Sequence, residues 1–242
     1  CDEGVLEWIS KEDLLKLELW EGDRLFLRYM DERAPFFSLK LAYVKGNLMS
    51  AVLDGKELEF FDLLDENGEK TGRIKERSLV HEDGDAHATA HIWVVRKKEN
   101  GYDVLLQKRS ANKDSFPGCY DISSAGHVEA GDEYLKTAVR EMQEELGIAA
   151  KEKDLGYAGI HRGKITGCFY GRKFQNYEIS AVYVYDKPVE ISELTLQEEE
   201  VEEVIWMDYT LCLEKMKNGE IKHCIFQDEY EMLGRYLGGF SF

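Results

Sequence analysis

The stretch that decides the fold runs Gly126-His127-Val128-Glu129-Ala130-Gly131-Asp132 into Glu133-Tyr134-Leu135-Lys136-Thr137-Ala138-Val139-Arg140-Glu141-Met142-Gln143-Glu144-Glu145-Leu146-Gly147-Ile148. Leu135, Ala138, Val139, Met142 and Leu146 recur at helical spacing. One stripe of a helix from Glu133 to Leu146 should therefore be buried, with Asp132 as N-cap and Gly147 as the C-terminal stop. At about 100° per residue, Glu141, Glu144 and Glu145 gather on one arc beside that stripe. Like charges at these spacings cost roughly 0.2–0.5 kcal/mol each in a helix, so the cluster calls for a compensating partner. A hard divalent cation such as Mg²⁺ fits, because it takes oxygen ligands and keeps positions for water and phosphate. Arg140 can orient a carboxylate by a bidentate contact with a loop acid such as Glu129. A solvated acidic helix would explain the glutamates alone. The glycine-bounded loop, the helix, the arginine and the acids together form a composite signal for a site.

Around this stretch, strand patterns and helix patterns interleave. Strand candidates are Ala90 to Val95, Val104 to Lys108, Ile179 to Tyr185 and Val201 to Met207, and helix candidates are Tyr209 to Met216 and Gln227 to Leu237. That order argues for a layered α/β domain with a mixed sheet.

Residues 126 to 148 resemble the Nudix box, G-x5-E-x7-R-E-U-x-E-E-x-G-U with U bulky and aliphatic. Gly126, Arg140, Glu141, Met142, Glu144, Glu145, Gly147 and Ile148 match, and Asp132 stands where the pattern has Glu. The resemblance implies an α/β/α sandwich and Mg²⁺-dependent hydrolysis, with Mn²⁺ as a substitute ion, of a diphosphate linkage in a small organic substrate. It places the metal ligands at Glu141, Glu144 and Glu145. Upstream, Val104 to Ser110, Asp114-Ser115-Phe116-Pro117-Gly118 and Asp121 to His127 are similar to the Nudix branch related to isopentenyl-diphosphate isomerase, over roughly residues 57 to 242. The isomerases place a catalytic Cys before the Gly-His pair, where this chain has Ala125. Proton transfer at carbon needs that thiol, so hydrolysis is favoured over isomerisation. A Nudix-fold ligand sensor without catalysis is the third reading, disfavoured by the intact acids.

His81, His87 and His91 lie before and on the first core strand, where the isomerases keep metal-binding histidines, and the bland reading of each is a surface or hydrogen-bonded side chain. Glu178 resembles another acid of that isomerase site, but its companion acid is absent, so it is held as a second-tier ligand or base. Attack of water on a diphosphate needs a base, and Glu144, Glu178 and the run Glu198-Glu199-Glu200 are the candidates. A solvated loop is the simpler reading of that run. Arg140 is the expected orienting residue of the catalytic set. Lys108 and Arg109, at the end of a strand near the site, are candidates for binding substrate phosphate.

The front of the chain is a different case. Val5 to Ile9 reads as a strand followed by a short helix through Leu14 and Leu17, an echo of Val204 to Met216. Residues 36 to 53 read as a hairpin turning at Gly46-Asn47, and Leu58 to Leu64 as a new strand. Leu6 to Ile9, Leu19 to Arg24 and Phe36-Phe37-Ser38 resemble the C-terminal end of bacterial 8-oxo-dGTP diphosphatases, which are also Nudix proteins. The expectation is a boundary near Gly55. Residues 1–55 would be the end of a first Nudix domain, without a box or activity of its own, and residues 56–242 a complete one. Cys1 in place of Met fits a chain that starts inside a longer reading frame.

Composition bounds the partners. Of 242 residues, 31 are Lys or Arg and 48 are Asp or Glu, a formal net charge of −17 that disfavours nucleic-acid polymers and anionic membranes. The longest apolar run, Ile179 to Tyr185, falls far short of the ~18 residues a membrane span needs. Five scattered cysteines without a CxxC pair fit reduced thiols in a cytoplasm. No pattern in the sequence specifies an oligomeric state.

Overall fold

The near-continuous buried run from Ala86 to Val95 becomes the centre of a mixed sheet. The computed structural model describes residues 7–14, 17–32, 36–113, 115–169 and 172–238. Its elements in chain order are α1 (Lys11–Leu14), α2 (Glu21–Glu32), β1 (Leu39–Val44), β2 (Asn47–Leu53), β3 (Lys56–Glu57), β4 (Phe60–Leu64), β5 (Lys70–Glu76), α3 (Arg77–Asp83), β6 (Ala86–Lys98), β7 (Gly101–Arg109), β8 (Tyr120–Asp121), β9 (Ser124–His127), α4 (Tyr134–Leu146), β10 (Leu155–Phe169), β11 (Arg172–Tyr185), β12 (Val201–Asp208), α5 (Tyr209–Lys217) and α6 (Gln227–Tyr236).

The main sheet has the order β10-β11-β6-β7-β12, with β8 added to β7 and β9 to β6. Strand β6 runs parallel to β11 and antiparallel to β7 and β9, so it is hydrogen-bonded on both edges and covered on both faces. Its alternation sorts the core into two layers. Ala90, Ile92 and Val94 pack with Ala138, Met142 and Leu146 of α4. Trp93 and Val95 pack with Tyr209, Cys212 and Leu213 of α5 and Tyr230 and Leu233 of α6. The result is the expected α/β/α sandwich.

Helix α4 begins at Tyr134 with Glu133 as N-cap, and no side chain caps it, which corrects the expectation for Asp132. Asp132 instead closes the preceding turn, its N–H donating to the Glu129 carbonyl at 2.9 Å. The C-terminal end is as expected: Gly147 adopts φ 73° and the N–H groups of Gly147 and Ile148 donate to Gln143 and Met142 carbonyls.

The front of the chain forms a second, smaller body of structure. β1, β2 and β3 make an antiparallel sheet, and β4 pairs with β5. The hairpin turns at Lys45-Gly46, one residue earlier than expected, because both central residues take positive φ (50° and 85°) and Val44 closes the ladder on Asn47. Asp54-Gly55 forms the same kind of turn between β2 and β3, so this sheet continues past Gly55 to Glu57. Residues 7–9 are not a strand, and Trp8 is fully exposed. Among the described residues no strand pairs with them, so the echo of the Trp206 strand fails over residues 7–9, and Val5 and Leu6 lie outside the described residues. Leu25 of α2 is wholly buried with Leu48, Ala51, Phe60 and Leu79, and Arg24 forms a two-pronged pair with Asp83 at 2.8 and 2.7 Å. No helix among the described residues is long and apolar enough to cross a membrane.

Candidate functional site

Strand β9 positions the site. It pairs with β6 so that His91 faces Ala125, Ala90 faces Gly126 and Thr89 faces His127. Helix α4 then lays Glu141 and Glu145 against β9. Glu145 is 5 % exposed, and its Oε2 accepts the Ala125 N–H at 3.2 Å. A Cβ at Gly126 would fall 2.0 Å from Cδ of Glu141, so only glycine leaves room for that carboxylate. The acids are thus less alike than their shared arc suggests: Glu145 is in the core stripe, Glu141 is half-buried and Glu144 stands exposed at the rim.

Arg140 donates from Nη1 to Glu144 at 3.0 Å, and its Nη2 lies 3.0 Å from Glu141 Oε1. It therefore orients acids of its own helix rather than Glu129, correcting the expected contact; positions one and four apart on one helix are simply nearer. Burial raises the Glu141 pKa to about 8, the neighbouring Glu145 charge adding to the effect and Arg140 opposing it. Burial likewise raises Glu145 to about 7, against hydrogen bonds and the Lys113 charge. At these two adjacent carboxyl groups burial outweighs the charges of Arg140 and Lys113, so their ionised forms are only partly compensated by the protein's own cations. An all-oxygen donor set of this kind fits a hard divalent cation.

These acids open onto a cavity of about 1460 Å³. Arg109 lines it, held by Asp121 at 3.0 Å and by the Ser115 carbonyl at 3.0 and 3.2 Å. Arg77 and Lys113 add positive charge to the same walls. Lys108 does not line the cavity: alternation along β7 turns it to β12, where its Nζ lies 2.7 Å from Glu202 and 3.6 Å from Glu203. Of the acidic run, Glu199 and Glu200 reach the cavity and Glu200 pairs with Lys113. The front segment supplies part of the wall through Leu27, Arg28 and Met30 of α2. Nothing in the sequence of α2 pointed to this role, because the docking of α2 depends on a distant apolar patch formed by Phe60 and Leu79.

The cavity is also lined by the imidazoles of His81 and His127. Ring nitrogens of His81, His87 and His127 lie within 4.8 Å of one another, and the Nε2 atom of each is buried without a hydrogen-bond partner. Phe61 stacks on His127 at 4.6 Å and on His87 at 5.3 Å. Burial lowers the pKa of all three, that of His81 to about 3, so each offers a neutral nitrogen lone pair. His81 and His87 are therefore not isolated side chains, and their group could hold a transition-metal ion. Glu178 sits between the two histidine groups, 3.9 Å from His127 and 3.8 Å from His91, and accepts from Asn176 Nδ2 at 2.7 Å.

His91 is hydrogen-bonded, as the bland reading has it. Its partner is the buried Glu229, at 2.9 Å. Burial opposes charge on His91, but the Glu229 carboxylate outweighs it and brings the imidazole to about 9. Sequence reasoning missed His127, His161 and Glu229. His127 lies inside the Gly-His pair already in view; the other two come from β10 and α6, which no local pattern links to β6.

Comparison with known proteins agrees with this architecture. The model of the NUDIX domain matches residues 85–226. An uncharacterized Nudix hydrolase of Clostridium acetobutylicum is 41 % identical over 145 residues, covering 60 % of this chain and 68 % of that protein. Nudix hydrolase 3 of Arabidopsis thaliana is 39 % identical over 181 residues, covering 74 % of this chain, while the chain spans only 22 % of that protein's length. Among solved structures, DR0079 of Deinococcus radiodurans superposes with a TM-score of 0.50 at 18 % identity, covering 75 % of this chain and 100 % of that one, a likeness of fold alone. With its box acids on α4 and the NUDIX match spanning the sheet, the chain belongs to the NUDIX domain family.

Proposed function

We propose that the protein is a Mg²⁺-dependent hydrolase, with Mn²⁺ as a substitute, that cleaves a diphosphate linkage in a small nucleotide-type or other organic diphosphate. The observation that carries this reading is the Glu141–Glu145 pair, packed against β9 at the edge of a cavity that also presents Arg109, Arg77 and Lys113. Glu141 and Glu145, with Glu144 at the rim, would hold the cation, which supplies charge neutralisation at the phosphate and activation of water. Arg140 keeps Glu141 and Glu144 in place, and Arg109, fixed by Asp121 and Ser115, offers a pre-oriented guanidinium to phosphate oxygens. Glu178 is the favoured base, since it is held by Asn176 inside the cavity, whereas Glu200 is engaged with Lys113. Lys108 has no part in this scheme.

Within this proposal, the front of the chain is the end of a first Nudix domain whose boundary moves from Gly55 to the end of β3 at Glu57, and its helix α2 lends a wall to the cavity. The protein acts on small molecules in the cytoplasm, with its cysteines as thiols. Isomerisation of a prenyl diphosphate is the rival, and Ala125 weighs against it: its side chain is a methyl group and its N–H is engaged by Glu145. The test is a panel of nucleotide, nucleotide-sugar and prenyl diphosphates with Mg²⁺, with Mn²⁺ and with chelator. Release of a phosphorylated product from some members, lost on chelation, is expected. No hydrolysis of any member, or deuterium exchange into a prenyl diphosphate, contradicts the reading.

A further inference from the structure

The structure assigns a further metal site, for a borderline divalent cation such as Zn²⁺, to the buried group His91, His161 and Glu229. These residues lie on β6, β10 and α6, apart from the box acids and from the His81 group. Nδ1 of His91 and Nδ1 of His161 converge on one oxygen, Oε2 of Glu229, at 2.9 and 3.4 Å. Those separations resemble the spacing of neighbouring ligands around a tetrahedral ion with bonds of about 2.0–2.1 Å. The three residues are 7 %, 3 % and 1 % exposed, which sets them apart from an ordinary surface cluster.

The atoms on the far sides are braced. His161 Nε2 lies 3.1 Å from Asp228 Oδ1, and His91 Nε2 lies 3.4 Å from Thr89 Oγ1 and 3.8 Å from Glu178. The second oxygen of Glu229 accepts from Trp93 Nε1 at 3.0 Å. Outer partners of this kind fix the orientation of metal-binding imidazoles, and a cation would take the place of the hydrogen bond between His91 Nδ1 and Glu229 Oε2. As a hydrogen-bonded group the arrangement is incomplete. His91 satisfies Glu229, but Nδ1 of His161 is buried with no hydrogen-bond partner. A cation at the point of convergence uses all three atoms. Two imidazoles and one carboxylate suit Zn²⁺ better than Mg²⁺, so this site and the box acids would sort different ions. His91 and Glu229 both line the cavity, which leaves the remaining position to water or a substrate oxygen.

The inference stands independently of the hydrolase reading, because its readout is metal content. Metal-depleted full chain is titrated with Zn²⁺ against a chromophoric chelator, and Co²⁺ is loaded in parallel for its visible spectrum. His161→Gln should lose about one equivalent of tightly bound Zn²⁺ and the matching Co²⁺ bands. His81→Gln should retain that equivalent, and His161→Asn provides a second variant if the first misfolds. Unchanged Zn²⁺ stoichiometry and affinity in a folded His161 variant, or no Zn²⁺ uptake by the wild type, would overturn the assignment.

Discussion

Two groups of titratable residues at the cavity, the α4 acids and a histidine cluster, are held in opposite ways. On the α4 side, Glu141 and Glu145 are neighbours of like charge whose proton affinity burial has raised to about 8 and about 7. In the cluster, His81, His87 and His127 are neutral rings whose pKa burial has lowered, stacked against Phe61. Burial disfavours charge in both places, but it leaves protonated oxygens in one group and bare nitrogens in the other. The lesson is one of ion selection within a single cavity: the first group gains most from a hard cation, the second from a softer one.

Glu141→Gln should break the acid side, lowering Mg²⁺-dependent kcat by at least ~100-fold while circular dichroism stays native, because a carboxamide cannot replace the ligand charge. Phe61 is wholly buried, so Phe61→Ala tests the histidine side. It should cost about 3–5 kcal/mol in urea unfolding. Ion preference should separate the sides further. In metal-free protein, Glu141 and Glu145 bind protons more tightly folded than unfolded, so their contribution to stability is complete below the ordinary carboxylate pKa. It is lost as pH rises through about 7 and about 8. The midpoint of thermal unfolding should therefore fall across that window. Mg²⁺ at ~100 times its Kd should restore about 2.7 kcal/mol, and its affinity should strengthen with pH. The smallest effect belongs outside the cavity: Lys108→Ala removes a partly exposed ion pair with Glu202 and should change stability by less than about 1 kcal/mol and leave KM within twofold.

How much was legible in the sequence follows the same division. The α4 side is contiguous: Gly126, Arg140, Glu141, Glu145 and Gly147 lie within one loop and helix, so a helical period places them. What period alone could not show was that Glu145 falls inside the buried stripe, or that Arg140 turns to its own helix. The histidine side draws on β4, α3, β6, β9 and β11, and its meaning emerges only once parallel pairing sets Glu178 beside His87. Helix α3 was missed because it is a single short segment held by the Glu76 side chain at one end and Gly84 at the other. β10 was missed because glycines interrupt its alternation. At the front, local pattern suggested a strand from Val5 to Ile9, of which the described residues 7–9 pair with no described strand, whereas the docking of Leu25 and the α2 wall rests on contacts far away in the chain.

The most direct measurement is phosphate-product release by Glu145→Gln, assayed with Mg²⁺ on whichever diphosphate the wild type cleaves, with the fold monitored by circular dichroism. The account predicts native secondary structure and turnover reduced by at least ~100-fold, with no recovery at higher Mg²⁺. A folded Glu145→Gln protein that turns over at the wild-type rate would contradict the claim that the α4 carboxylates hold the catalytic cation.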